Sequence, residues 1–493
     1  MNYADSERVC AELEKLGHNK AKKEADADIF IFNTCSIRQK GEDRVFGKLM
    51  TLATRKQRKE NLLVGLTGCM VRKTSTKNSP PAMKDKLVRD LKPVDFVFRI
   101  EDIKHLDWLL KKAAMATAIP KKKIAVKPSV KMPVSGRAGT ANDITTLTAD
   151  RLDYLDIAPR YSSSFQAFVP IQVGCDKFCT YCIVPYARGR EQARPVKNIL
   201  AECEALVKGG HKEITLVGQS VNSYGRSALD KQNGLFGKGF VEHLAKDHRL
   251  LFEQEPFLAL LTEIDKLRAQ GLNRLRFTSP HPYDFSNALI KAHNQLKTLT
   301  PHFHIPVQSG SDKILKRMNR KYTVAQYKAL VAKIRETIPD ASITTDIIVG
   351  FCGETKADFE ATLRLYDEIK WDMAYIARYS PRRGTVSEKF FKDDVPRAEK
   401  ARRWHELNKV LTNCSREYNQ RLVGKTLEVL VEKYNKETNE CEGKSRENKT
   451  VQFTVAAAKG RASRGKAGAK FVGTLQKVRI TKALDWSVKG SLI

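Results

Sequence analysis

No stretch of this 493-residue chain stays apolar for the roughly 20 residues that a helical membrane span requires. The opening "MNYADSERVCAELEKLG" has no apolar core of the kind a secretory signal carries. A soluble, cytoplasmic protein without a membrane partner is therefore expected. Acidic residues are in short supply, with 56 Asp and Glu against 88 Lys and Arg, a formal net charge of +32. That imbalance points to a polyanionic partner, of which nucleic acid is the commonest. Cysteine is sparse as well, with ten in the whole chain. A cytosolic compartment keeps thiols reduced, which argues against a disulfide framework. Clustered cysteines are then best read as metal ligands or catalytic groups.

What is present divides into segments. The length suggests about two to four domains, and 41% hydrophobic residues can supply their cores. Residues 1–116 alternate helical and strand-like runs. Asp5 or Ser6 can cap a first helix with Val9, Leu13 and Leu16 on its apolar side. "ADIFIFNTCS" reads as a buried strand ending at Cys35, and "NLLVGLTGCM" as another ending at Cys69. The pattern predicts a small α/β domain with a parallel sheet, and both cysteines at the sheet edge where such folds place ligands. Residues 117–164, with "PKKKIAVKPSVKMPVSGRAGT", read as a basic linker.

Residues 165–395 carry six short apolar strands with helices between them: "FVPIQVG", "EITLVGQ", "RLRFTS", "FHIPVQSG", "ITTDIIVG" and "MAYIARYS". This predicts an incomplete (β/α)6 barrel. The loops after its strands hold Gln219, Asn222, Ser279, His281, Gln308, Ser309 and Glu354, where a barrel of this kind builds its active site. Residues 225–256 look like an insertion. A polar helical connector is expected over 396–420. Residues 421–493 are strand-rich and suggest a small β-barrel, with 16 basic and 7 acidic residues, a net +9. Its basic loop "KGRASRGKAGAK" makes Arg461 and Arg464 candidate RNA-binding residues.

The first barrel strand runs straight into "VGCDKFCTYCIVPYARGR", with Cys175, Cys179 and Cys182 in a C-x3-C-x2-C spacing. A structural zinc site closes with four ligands, and a [4Fe–4S] cluster usually takes four cysteines. Three thiols would leave one iron open to a substrate or cofactor. An open iron and one-electron chemistry together suit reductive cleavage of S-adenosylmethionine (SAM). A zinc site completed by a distant Cys or His is the competing reading. Cys203, in the apolar run of a helix, reads as core rather than as a fourth ligand.

"VPIQVGCDKFCTYCIVPYARGRE" resembles the signature of the radical-SAM methylthiotransferases, most of all the tRNA branch that makes 2-methylthio-N6-isopentenyladenosine. "FNTCSIRQKGEDRVFGKL" and "GLTGCM" resemble that family's N-terminal cluster motifs. "HIPVQSGSDKILKRMNRKYT", "TTDIIVGFCGET" and "YSPRRGT" resemble its barrel motifs, and the tail resembles its RNA-binding TRAM domain. The resemblance covers nearly the whole chain. It implies two [4Fe–4S] clusters, one on Cys175, Cys179 and Cys182 and one on the N-terminal domain, to which this sequence contributes Cys35 and Cys69. The family's first N-terminal cysteine stands two residues before the "MN" that opens this chain, so that cysteine and the family's first strand are expected to be missing. Tyr181 would lie along the adenine of SAM, and Gln219, Gln308, Ser309, Gly353 and Glu354 would line its pocket. One SAM would methylate sulfur and another would generate the radical. tRNA would be the partner of a monomer, together with a sulfur donor and an electron donor that the resemblance does not identify. Related branches act on threonylcarbamoyl-adenosine in tRNA or on a ribosomal protein. A non-catalytic iron–sulfur RNA-binding protein is a further alternative. Cys352 stands where the family usually has proline.

Overall fold

The structure is a computed structural model and describes residues 1–35, 39–58, 62–71, 91, 93–116, 152–227, 246–455 and 468–493. The N-terminal part is a parallel sheet of β1 (Ile29–Thr34), β2 (Leu63–Gly68) and β3 (Phe96–Val97), in that spatial order. Helices Asn2–Lys15, Gln39–Gln57 and Leu106–Ala116 accompany it. The expected cap is corrected here. The first helix begins at Asn2, so Asp5 lies within it, fully buried, and its carboxylate pairs with Arg188 at 2.6 Å. A buried charge needs a partner more than a helix end needs a cap. Val9 packs in the core below the sheet, with Leu13 and Leu16 against its edge.

Residues 152–162 also belong to this body rather than trailing from it. Tyr154 and Leu155 are buried in the same core, and Glu7 Oε1 accepts from the amide and hydroxyl of Ser162. The basic run from residue 117 to 151 lies outside the described residues.

The central part holds two three-stranded parallel sheets. One is β4 (Gln166–Pro170), β7 (Glu213–Val217) and β8 (Arg274–Phe277); the other is β9 (His302–His304), β10 (Ser342–Val349) and β11 (Met373–Arg378). A parallel bridge between Leu275 and Leu299 joins the halves. All six predicted strands are present, which gives the expected incomplete (β/α)6 barrel. The first departs in one detail. After Pro170 the chain peels away as β5 (Gln172–Val173) and pairs antiparallel with β6 (Gln192–Ala193). This two-residue ribbon closes a loop over residues 174–191 that contains all three cysteines. Within the expected insertion, residues 228–245 lie outside the described residues, and Phe252 of helix Lys246–Gln254 is buried in the barrel's outer core.

Helix Arg397–Gln420 leads to a closed antiparallel and parallel barrel of β12 (Thr426–Asn435), β13 (Glu440–Ser445), β14 (Thr450–Thr454), β15 (Leu475–Ala483) and β16 (Ser487–Leu492), ordered β12-β13-β14-β16-β15. It docks on the starts of the central strands. Arg274 at the start of β8 bonds Glu428 at 3.0 Å, and Arg276 donates to the carbonyls of Ser445 and Arg446. Gln166 at the start of β4 reaches Glu432 at 3.0 Å. The small barrel therefore closes the end opposite to the cysteine loop. Among the described residues no helix is long and apolar enough to cross a membrane.

Candidate active site

The cysteine loop is held from several sides. Gly174 has φ +85°, and a Cβ there would lie 2.1 Å from the Arg190 carbonyl, so the tight exit from β5 requires glycine. The Cys175 amide donates to Gly189 O at 3.2 Å. Asp176 takes both a bidentate contact from Arg190 (2.7 and 3.1 Å) and the Glu191 amide (3.0 Å). Across the loop, the segment after helix Asp312–Arg317 acts as a clamp. Thr180 bonds the carbonyls of Met318 and Arg317, and the Asn319 side chain donates to the carbonyls of Lys177 and Phe178.

Sequence reasoning missed Arg320. Its guanidinium donates to Cys179 Sγ at 3.4 Å and is fixed by Tyr322 Oη and Pro306 O. The signal lay in "KRMNRKYT", but no spacing rule says that this arginine turns to the cysteine loop. Burial pushes the Cys175 thiol up to about 12 and raises the Cys182 thiol as well. Such thiols ionise readily only when a bound cation supplies compensating charge. Among the described residues no three Cys, His, Asp or Glu side chains converge on a single metal ion. The three thiols of one loop are the ligand number that would hold a [4Fe–4S] cluster with one iron left open.

Tyr181 meets Phe351 edge-on at 6.2 Å, beside a core containing Cys352, Met318 and Tyr379. Cys352 is fully buried there and packs. Gln308 is buried in left-handed backbone, φ +72°, with its amide bonded to Asp346 O and its carbonyl to Ile348 N. A non-glycine residue held this way costs about 1–3 kcal/mol, and such strain gathers at functional sites. Ser309 is buried beside it and accepts from Ser311 N. Gly353, φ +78°, donates its amide to Asp394 at 2.7 Å. Glu354 is spent on its own turn, accepting from the Gly350 amide at 3.0 Å and pairing with Arg403 at 2.7 Å. Its carboxylate shapes the "GFCGE" turn instead of reaching outward. Asn222 and His281 exchange side-chain and backbone bonds, which ties the loops after β7 and β8, and Ser279 beside them has φ +61°.

Gln172 Oε1, Gln219 Oε1 and Ser220 Oγ, at the ends of β5 and β7, are buried without a hydrogen-bond partner, and the Gln172 side chain donates to Ser220 O at 2.7 Å. Such atoms are costly unless a ligand or water satisfies them. SAM brings amine and hydroxyl donors, and these acceptor oxygens suit them.

The N-terminal cysteines stand at one sheet edge, as expected. Thr34 and Gly68 are register partners, so Cys35 and Cys69 follow them side by side, and the Cys69 amide donates to Thr34 O at 2.9 Å. Cys35 is exposed and Cys69 buried. Gly68 lies so close to Thr34 that a Cβ would meet its carbonyl at 2.4 Å. Cys69 lies within electrostatic range of both Cys182 and Arg188. The Asp5–Arg188 and Glu42–Arg382 pairs lock the domains in this arrangement. Cys10 sits within the first helix, while Cys203, Cys414 and Cys441 are buried in other cores. Arg461 and Arg464 lie outside the described residues.

Residues 169–366 match the Radical SAM superfamily model, and residues 1–88 match the model described as Uncharacterized protein family UPF0004. A tRNA-2-methylthio-N(6)-dimethylallyladenosine synthase from Bacillus cytotoxicus is 36% identical over all of this chain and 84% of its own length. The enzyme of the same name from Thermoanaerobacter sp. is 36% identical over all of this chain and 90% of its own length. Among solved structures, the cobalamin-dependent radical enzyme OxsB overlaps 81% of this chain and 53% of its own at 12% identity and a TM-score of 0.43, too distant to inform the site. With both domain models in order and full-length relatives at this identity, the chain belongs to the radical-SAM methylthiotransferase family.

Proposed function

We propose that this enzyme adds a methylthio group to C2 of N6-isopentenyladenosine at position 37 of tRNA. The observation that carries the reading is 36% identity along the entire chain to enzymes named for that product. Cys175, Cys179 and Cys182 hold a [4Fe–4S] cluster, and Cys35 and Cys69 contribute to a second one. The target C–H is unactivated and has no acidic proton, and a three-cysteine cluster with SAM supplies the one-electron chemistry that such a bond requires. Arg320 fixes the position of Cys179 by donating to its sulfur. Gln219, Gln308, Ser309 and the Gly353 turn shape the SAM pocket, and Tyr181 forms its aromatic side. A sulfur donor and an electron donor act with the protein.

The test is anaerobic turnover with three tRNAs, carrying at position 37 N6-isopentenyladenosine, threonylcarbamoyl-adenosine or plain adenosine. Nucleoside mass spectrometry should find methylthiolation of the first alone. Product on the second tRNA instead would transfer the chain to the related branch.

RNA binding by the C-terminal barrel is part of this proposal. Lys477, Arg479 and Lys482 are exposed along β15. Reversing all three to Glu should weaken tRNA binding and flatten the slope of log affinity against log salt by about 2–3, one counterion released per phosphate contact. An unchanged slope in a filter-binding titration would remove this strand from the interface.

A further inference from the structure

The cysteine loop carries an aromatic side chain in a costly position. Phe178 has φ +47° and is 39% exposed. Left-handed backbone is rare for a bulky residue, and burial does not account for it here. The segment after helix Asp312–Arg317 holds the residue in place, because Asn319 donates to the carbonyls of Lys177 and Phe178 at 3.2 and 2.9 Å. The Arg190 guanidinium lies 5.5 Å over the ring.

The same stretch of chain brings positive charge to this side of the loop. Lys316, Arg317 and Lys321 are exposed, and among the described residues none of the three has an ion-pair partner. Lys313, on the same helix, is by contrast paired with Asp358 at 2.8 Å. Asp176 of the loop is paired with Arg190 at 2.7 Å and Asp284 with Lys177 at 2.6 Å, so neither acid cancels the three cations. One residue separates this surface from a proposed cluster ligand. Arg320, between Asn319 and Lys321, donates to Cys179 Sγ at 3.4 Å.

We infer that Phe178, with the cations of Lys316, Arg317 and Lys321, is the docking face of an acidic protein that delivers one electron to the barrel cluster. This rests on the cluster proposed for Cys175, Cys179 and Cys182. Reductive cleavage of SAM consumes an electron that must come from outside the cluster. The carrier is oxidised by one electron and the cluster is reduced by one; no bond forms or breaks between the two proteins. Redox encounters use small interfaces, and charges of opposite sign steer them. An aromatic centre with a charged rim is the anatomy of such a contact. RNA phosphates would need the cations alone. The exposed ring one residue before Cys179 and the Arg320 contact to its sulfur are what an electron carrier uses.

The experiment uses the full chain, reconstituted anaerobically, and as probe a flavodoxin, a small acidic protein whose flavin carries single electrons. Its dissociation constant is measured in the oxidised form, where no turnover occurs, and tRNA affinity is measured in parallel. Lys316→Glu together with Lys321→Glu should weaken flavodoxin binding by about tenfold or more and leave tRNA binding within about twofold. Lys477→Glu together with Lys482→Glu makes the same change of net charge on β15 and should leave flavodoxin binding within about twofold, because charges beyond about 10 Å are screened. Dithionite, a small reductant that needs no docking face, should drive SAM cleavage equally in the native protein and the Lys316/Lys321 variant; iron content and melting temperature check that the variant is folded. Unchanged flavodoxin binding in that folded variant overturns the inference. Equal weakening by the two pairs overturns it too, leaving only a general attraction to a basic chain. Weakened tRNA binding in place of weakened flavodoxin binding would give this face to RNA. Loss of dithionite-driven cleavage in the variant alone would make the two lysines supports of the cluster instead of a docking face. Failure of dithionite to drive SAM cleavage in the native protein would overturn the cluster and the inference together.

Discussion

Replacing Cys179 with alanine should remove about four irons per chain and bring SAM cleavage and methylthiolation down to background together. Cys179 is one of only three thiols in a loop closed by the β5–β6 ribbon, and its sulfur receives the Arg320 guanidinium at 3.4 Å. Two thiolates are then left, and Cys203, fully buried on the helix behind the sheet, cannot replace the third. Cys203→Ala is the matched control. It deletes a small buried side chain from the core and should cost about 1 kcal/mol of stability without loss of iron. Iron analysis and quantification of 5′-deoxyadenosine on the two variants separate ligand from core. Full iron in Cys179→Ala would contradict the ligand set.

Arg276→Met should be the most damaging single change away from the cysteines, at about 3–5 kcal/mol. The guanidinium is nearly inaccessible and bonds Glu213 at 2.9 Å, Thr300 at 3.2 Å and two carbonyls of the β13–β14 turn. Without it, Glu213 keeps its Gln166 bond and a 3.8 Å contact with Arg274, and two buried carbonyls lose their donors. The urea midpoint should fall, and limited proteolysis should release the C-terminal barrel. Adding Glu213→Gln removes the stranded charge, so the double variant should lose less than the sum of the two singles. An unfolding free energy within about 0.5 kcal/mol of the native value would mean that the small barrel is not held by this contact. The same docking explains why truncation at residue 421 is a poor test of RNA binding: it would uncover Arg274 and Arg276 as well as remove basic surface.

Much of this architecture is legible in the sequence, for physical reasons. The six central strands are short apolar runs ended by glycine or polar residues, and the parallel pairing follows from the helices between them. The placement of Cys35 and Cys69 is equally legible, because each ends an apolar strand and the register then sets them side by side. What escapes is whatever depends on contacts distant in sequence. Asp5 looks like a cap until Arg188, 183 residues away, buries it. Arg320 sits 141 residues from Cys179. Glu354 has the position of a ligand residue, but Arg403 and the turn amides take its carboxylate.

One measurement bears most directly on the assignment of this chain as a radical-SAM methylthiotransferase and on the tRNA substrate proposed for it. tRNA carrying N6-isopentenyladenosine deuterated at C2 is turned over anaerobically with SAM, and the 5′-deoxyadenosine is recovered for mass spectrometry. The account predicts deoxyadenosine that has gained the deuterium, in step with methylthiolated tRNA. Methylthiolated tRNA accompanied by unlabelled deoxyadenosine alone would contradict it.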